Sequence, residues 1–266
     1  MNRTFAADGP VSADIRMPTG SCVVTAGQNP DITVQVEPAK PGRAADERAV
    51  EGTTVEFDRG HLAVVVPQTR GVRLSGFLTG TVIVTVGIPS GSALAVDTSS
   101  GSLEVAGTLA SLGVEISSGS VSAEEVTVET SVDSSSGKVE IGRIGGQAEI
   151  KTSSGSVRVG EVEGRFQCEC SSGKALIGSA DGEIRLKTSS GRIEVGSAGP
   201  GSIRAEASSG SIAVGVRPGV GVDTDLNSDS GRIRGALAAG ARPEDGGGML
   251  SLEATTSSGG IEVTRA

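Results

Sequence analysis

Residues 148–159 read Ala-Glu-Ile-Lys-Thr-Ser-Ser-Gly-Ser-Val-Arg-Val. Apolar and polar side chains alternate on both sides of the Ser-Ser-Gly break, which is the period of a half-buried strand and not of a helix. Glycine after two serines reads as a corner, a place that needs φ > 0 or leaves no room for a Cβ. The same tripeptide, or a close variant, ends at Gly101, Gly119, Gly137, Gly155, Gly173 and Gly191, spaced by 18 each time. It returns at Gly210, Gly231 and Gly259, at spacings of 19, 21 and 28. Five equal intervals define a repeat, and a repeat of this length points to a solenoid.

Apolar residues hold fixed offsets from these glycines. Leu94 and Val96, Leu112 and Val114, Ala148 and Ile150, Phe166 and Cys168, and Ile184 and Leu186 stand seven and five before them. Val139 and Ile141, Val157 and Val159, and Ile193 and Val195 stand two and four after, and Ile144, Val162, Ala180 and Ala198 form a third column. Each coil therefore reads as strand, corner, strand and a glycine-containing return. One coil cannot bury its own apolar row, whereas coils laid in register cover each other. The expected fold is all-β, a single-stranded parallel β-solenoid with coils of about 18 residues. At about 4.8 Å per strand, nine coils give a rod of about 40 Å. The outward column Asp97, Glu115, Asp133, Lys151, Glu169, Lys187, Glu206 alternates in sign from Asp133 onward, and Glu140 and Arg158 make a similar pair, as cross-strand neighbours prefer.

The regular repeats occupy 93–266, with insertions expected near 215–228 and 240–249, where the spacing loosens. Residues 1–92 are less regular. Ile15, Met17, Gly20, Cys22 and Val24 fit the offsets of a degenerate coil, 62–66 and 82–86 are β-rich, and 38–48 reads as a loop. This part is expected to cap the solenoid, whose bare end would expose apolar residues and strand edges.

Composition agrees with a thin core. The 266 residues include 41 glycines and four phenylalanines, with no tyrosine or tryptophan. Bulky aromatics fill the middle of a compact globule, but a coil interior one or two side chains wide does not need them. A formal charge of -9 with interspersed signs excludes the basic stripe that nucleic acid or anionic lipid would require. No apolar run is long enough for a membrane span, and the first 13 residues lack a signal-peptide core, so a cytoplasmic location is expected, with surface display requiring a signal that has been removed. Three cysteines do not make a disulfide framework.

Few residues carry chemistry. His61 is the single histidine, which excludes multi-histidine zinc sites, and it reads as an exposed strand-end residue with no nucleophile motif nearby. Cys168 and Cys170 are two apart on one strand and read as packing, not as a disulfide or metal pair. Asp97, Glu115 and Asp133 form a like-charge ladder, which could hold a hard cation, supply an acid and base for polysaccharide cleavage, or simply be a solvated face. The threonine column (Thr98, Ile116, Ser134, Thr152, Cys170, Thr188) is too broken for an ice-binding face. No cofactor motif is present.

Laid out in full, the pattern Thr152 to Val157, repeated from Thr188 to Ile193 with Arg192 in place of serine, resembles a bacterial family of β-strand-repeat proteins known as "putative adhesins", a domain of unknown function. The approach Val86-Gly87-Ile88-Pro89-Ser90-Gly91 into the segment from Leu94 to Gly101 is similar to that family's entry into its repeats, and the resemblance spans roughly residues 10–264. It implies the repeat fold and brings no catalytic or binding residues. The leading functional expectation is a non-enzymatic scaffold or interaction protein, meeting a protein partner or itself through the solenoid ends, with the C-terminal coil (256–263) as the open edge. The alternative is a carbohydrate-binding or carbohydrate-cleaving β-helix, which needs the surface aromatics that this chain almost lacks.

Overall fold

The computed structural model describes residues 1–68, 80–235 and 248–266. Among them every regular element is a strand except one short helix, α1 (Ala44–Glu51). The chain divides into two compact units, residues 1–134 and 135–266.

The first unit contains β1 (Asn2–Phe5), β2 (Ser12–Gly27), β3 (Ile32–Pro38), β4 (Thr54–Asp58), β5 (His61–Val65), β6 (Val82–Pro89) and most of β7 (Ala93–Ile144). β2 sits in the middle. On one side it runs parallel to β7, placing Ile15 opposite Val96, Cys22 opposite Leu103 and Gly20 opposite Gly101. On its other side β5 and β6 also run parallel, with Val64 opposite Ile15 and Val84 opposite Cys22. These apolar residues are all buried, and each Val, Leu or Ile so covered is worth about 1.5–3 kcal/mol.

Parallel pairing holds for β2 with its neighbours, but not throughout the less regular residues 1–92, where the sheet is mixed. β3 runs antiparallel to β6, β1 to β3, and β4 to β5. For β4 and β5 the cause is chain length. Arg59 and Gly60, with φ of 47° and 79°, form a two-residue turn of the primed kind, which can only fold a strand back antiparallel. A parallel return needs a dozen residues or more. The loop expected over 38–48 is also corrected, since α1 begins within it. Its sequence Ala-Ala-Asp-Glu-Arg-Ala-Val-Glu is rich in helix formers. Asp46, fully buried, anchors α1 by accepting hydrogen bonds from the Lys40 amide (3.2 Å), the Thr81 amide (2.8 Å) and the Arg43 guanidinium (3.0 Å).

The second unit contains the end of β7 with β8 (Gln147–Val216), β9 (Gly221–Ser228), β10 (Ile233–Gly235), β11 (Met249–Thr256) and β12 (Ile261–Arg265). β8 is 70 residues long because extended backbone continues through its corners. There the glycines lie over one another. A Cβ on Gly155 would collide with the carbonyl oxygen of Gly137, one on Gly173 with Gly155, one on Gly191 with Gly173, and one on Gly210 with Gly191. Close backbone approach, more than dihedral freedom, is what demands glycine, although Gly173 also has φ of 152°. Inside, Ile150, Cys168, Leu186 and Ala205 are buried, as are Val159, Val195 and Val214. Outside, charges pair across coils, as in Arg158–Glu140 (3.7 Å) and Arg165–Glu183 (2.9 Å). They pair equally along a strand, as in Lys151–Glu149 (2.6 Å) and Arg185–Glu183 (2.8 Å), so the alternation expected between coils is only part of the pattern.

The end of the second unit departs from chain order. β11 runs parallel to β8 on one side and to β9 on the other, placing Leu252 between Ile203 and Thr224. β12 likewise lies between β8 and β10, with Ile261 between Ile212 and Ile233. The last segment of the chain is thus inserted beneath the one before it. Of the insertions expected from the sequence, 215–228 contains a turn followed by β9, while 240–249 lies outside the described residues except for its last two.

Substituting Gly155 with valine should cost at least about 3 kcal/mol, because the added atoms meet a fixed carbonyl and not a flexible side chain. The neighbouring Ser156→Val should cost under about 1 kcal/mol. Urea denaturation of the two variants checks this, and equal losses would contradict it.

Candidate interaction edge

The turn that launches the last coil follows from sequence. In Arg217-Pro218-Gly219-Val220, proline presets the second position and Gly219, with φ of 81°, supplies the third, closing on a hydrogen bond from the Val220 amide to the Arg217 carbonyl (3.3 Å). Arg217 is held by a two-pronged contact with Asp181 (2.9 and 3.2 Å). Arg265, from β12, donates to the carbonyls of Arg217 (3.0 Å) and Val220 (2.9 Å) and so ties the inserted strand to this turn.

At the corner, the Ser228 hydroxyl donates to the Gly259 carbonyl (3.1 Å) and accepts from the Gly231 amide (2.8 Å). Thr256 makes the matching bond to the Gly210 carbonyl (3.1 Å). These hydroxyls stand three residues before their glycines. The equivalent Thr152 and Thr188 are buried without a partner, each at a cost of about 1–3 kcal/mol.

β9 pairs with β11 alone among the described strands. The Gly221 amide donates to Gly248 on the β11 side (3.0 Å). Residues of a parallel ladder point their backbone groups alternately left and right, so Val222, Thr224 and Leu226 aim theirs away from β11. Their side chains continue the interior columns, but the cover thins. Leu252 and Ala254 are fully buried, whereas their β9 partners Thr224 and Leu226 are half-buried. In the β10 column, Ile212 and Ile261 are each 1% exposed and Ile233 is 45% exposed. The C-terminal coil is therefore not the open edge expected from the sequence, because β11 and β12 are paired on both sides. Among the described residues the open edge belongs to β9 and β10.

The other candidate residues do not assemble a site. His61 is exposed at the first position of β5, opposite Asp58 and Ser12. Asp97, Glu115 and Asp133 share a shallow groove of about 350 Å³ with Asp14 and Arg16, and Arg16 already holds Asp14 at 3.0 Å. Among the described residues no three acidic, histidine or cysteine side chains come together to hold a metal ion. Carboxylates on one pleated face stand side by side, whereas a hard cation needs six or more convergent oxygens. A second groove, of about 330 Å³, crosses Glu169, Arg185, Lys187, Arg204 and Glu206. Neither groove is lined by an aromatic ring on which a sugar could stack, and Phe166 is buried. Among the described residues no helix is long and apolar enough to cross a membrane.

Cys168 and Cys170 are both buried, with their sulfurs 3.7 Å apart. The hydrogen bond to Cys170, then burial, pushes the Cys168 thiol up, and the same bond pulls Cys170 down. Cys22 is also buried, which pushes its thiol up to about 12.

With this geometry in hand, the chain can be placed among known proteins. Residues 14–264 match the model of the Toastrack family of domains of unknown function, Toastrack DUF4097, and the chain belongs to that family. No protein of curated function matches it. Three solved structures are similar over nearly their whole length. A "putative lipid binding protein" of Parabacteroides distasonis is 11% identical, covering 98% of this chain and 96% of its own, with a TM-score of 0.47. A "putative adhesin" of Parabacteroides merdae is 12% identical, covering 99% and 95%, with a TM-score of 0.42. Another from Bacteroides fragilis is 12% identical, covering 99% and 96%, with a TM-score of 0.34. Likenesses this distant transfer no function to the chain.

The buried thiol gives a pH dependence with a definite sign. Below about pH 9 Cys22 is protonated in both folded and unfolded chains, and its contribution is intact. Between about 9 and 12 only the unfolded chain releases the proton, so stability falls as pH rises, by up to about 1.4 kcal/mol per unit. Thermal unfolding of the wild type and Cys22→Ala between pH 8 and 10.5 should show the shallower decline in the variant, and parallel declines would contradict the assignment.

Proposed function

We propose that the protein is a non-enzymatic, adhesin-like scaffold whose last coil binds a protein partner by taking up an extended strand along β9 and β10. In this reading residues 1–92 cap a single-stranded solenoid that repeats through 93–266, with Gly101, Gly119, Gly137, Gly155, Gly173, Gly191, Gly210, Gly231 and Gly259 as its corners. The observation that carries it is Ile233, exposed in a column whose two inner members are covered. An interior column that stops in solvent beside unpaired backbone groups is the arrangement that strand addition completes. Main-chain hydrogen bonds would supply affinity, and the half-buried Thr224 and Leu226 would read alternate side chains of the incoming strand. The absence of aromatics from both grooves counts against a saccharide ligand.

Thr224→Pro tests the reading, because it deletes one outward amide while leaving the β11 side of the ladder intact. A displayed library of random extended peptides, selected on immobilised wild type, should yield binders that the variant holds at least about tenfold more weakly. Binders that ignore Thr224→Pro, or no enrichment at all, would contradict it.

A further inference from the structure

The charges on this edge identify a partner whose pattern fits it. β9 carries Asp223 and Asp225 on its outward face, and neither makes an ion pair among the described residues. In the ladder, Asp225 stands opposite Glu253, and Glu253 is engaged from its other side by Arg204 (2.9 Å). The row therefore runs Arg204, Glu253, Asp225, with two like charges adjacent at its end, and a cation in the next position would restore alternation. β10 carries the opposite sign. Arg234 stands opposite Glu262, with Arg232 exposed beside it, so that row runs Glu262, Arg234 and calls next for an acid. The acidic strand and the basic strand belong to one coil and meet at the Gly231 corner.

Resting on the strand-addition reading, we propose that the strand taken up is the same edge of a second copy, with β9 of each chain lying antiparallel on β10 of the other about a two-fold axis through the corner. A two-fold contact must be self-complementary, and an edge that is acidic before its corner and basic after it meets that condition. The register follows from pleat parity. Setting Asp225 against Arg234 of the other copy places Leu226 against Ile233 and Asn227 against Arg232. All inward side chains then face inward ones, and all outward side chains face outward ones. Both half-covered apolar residues gain cover, and the backbone groups of Thr224 and Leu226, unpaired among the described strands, gain an antiparallel ladder. Direct pairing of β9 with β9 instead brings aspartates opposite each other in most registers of the correct parity, which disfavours it.

Sedimentation velocity from 1 to 100 µM on the full chain tests the inference, with Asp225→Arg, Arg234→Asp and the double exchange. The wild type should dimerise, less tightly at high salt. Each single exchange places two like-charge pairs in the symmetric contact and should weaken dimerisation by at least about tenfold. The double exchange restores opposite signs and should recover dimerisation to within about threefold of wild type, a rescue that a merely structural effect does not give. A wild type that stays monomeric, or a dimer indifferent to all three variants, overturns self-pairing. If peptides sensitive to Thr224→Pro are still found in either case, strand addition survives and only the identity of the partner fails.

Discussion

Neighbouring turns of this chain approach so closely at their corners that a carbonyl oxygen occupies the space a Cβ would need, and the rest of the second unit depends on that contact. With Gly155 seated on Gly137 and Gly173 on Gly155, the flanking strands are held at hydrogen-bonding distance, and each apolar row covers the next. The interior is then only as wide as two facing rows of Val, Ile, Leu and Ala, which is why a chain of 266 residues does without tyrosine and tryptophan. Polar side chains left on the outside have neighbours at fixed spacing, and ion pairs form there in both directions.

Such stacking creates a problem at its ends, and each unit meets it by placing strands out of chain order. In the first unit, β2 is flanked by β7 on one side and by β5 and β6 on the other, although it precedes them all. Antiparallel β1, β3 and β4 extend that side, and α1 is anchored to it through Asp46. In the second unit the final segment, β11 and β12, is inserted between β8 and the coil made by β9 and β10, and Arg265 fastens it to the preceding turn. An edge formed by an internal segment is set by the turn at Pro218 and the corner at Gly231, not by a free end.

What could be read from sequence was whatever repeats locally. The inward columns and the pair Glu140–Arg158 are visible as offsets along the chain, and the structure buries the former and brings the latter to 3.7 Å. The antiparallel pairing of β4 with β5 was less legible because the turn that decides it, Asp58-Arg59-Gly60-His61, depends on positive φ at a non-glycine residue. The helix was less legible because Pro38, Pro41 and Gly42 stand just before it and its run of helix formers is only eight residues long. The open edge was misplaced for a different reason. Strand order is a non-local property, and nothing in the offsets tells the segment after Gly248 to pass beneath the one before it. One signal was available: the spacing of 28 before Gly259 is long enough for a crossover, whereas 18 is not. Pairing of Cys168 with Cys170 as packed thiols was legible from their spacing, but the hydrogen bond that splits their acidities was not.

Through-space contacts among Gly210, Gly231 and Gly259 in a nuclear Overhauser spectrum bear most directly on the whole account. Stacked corners with the last segment inserted require cross-peaks from Gly259 to both of the others and none between Gly210 and Gly231. A direct Gly210–Gly231 contact, or three glycines with no mutual contacts, would contradict it.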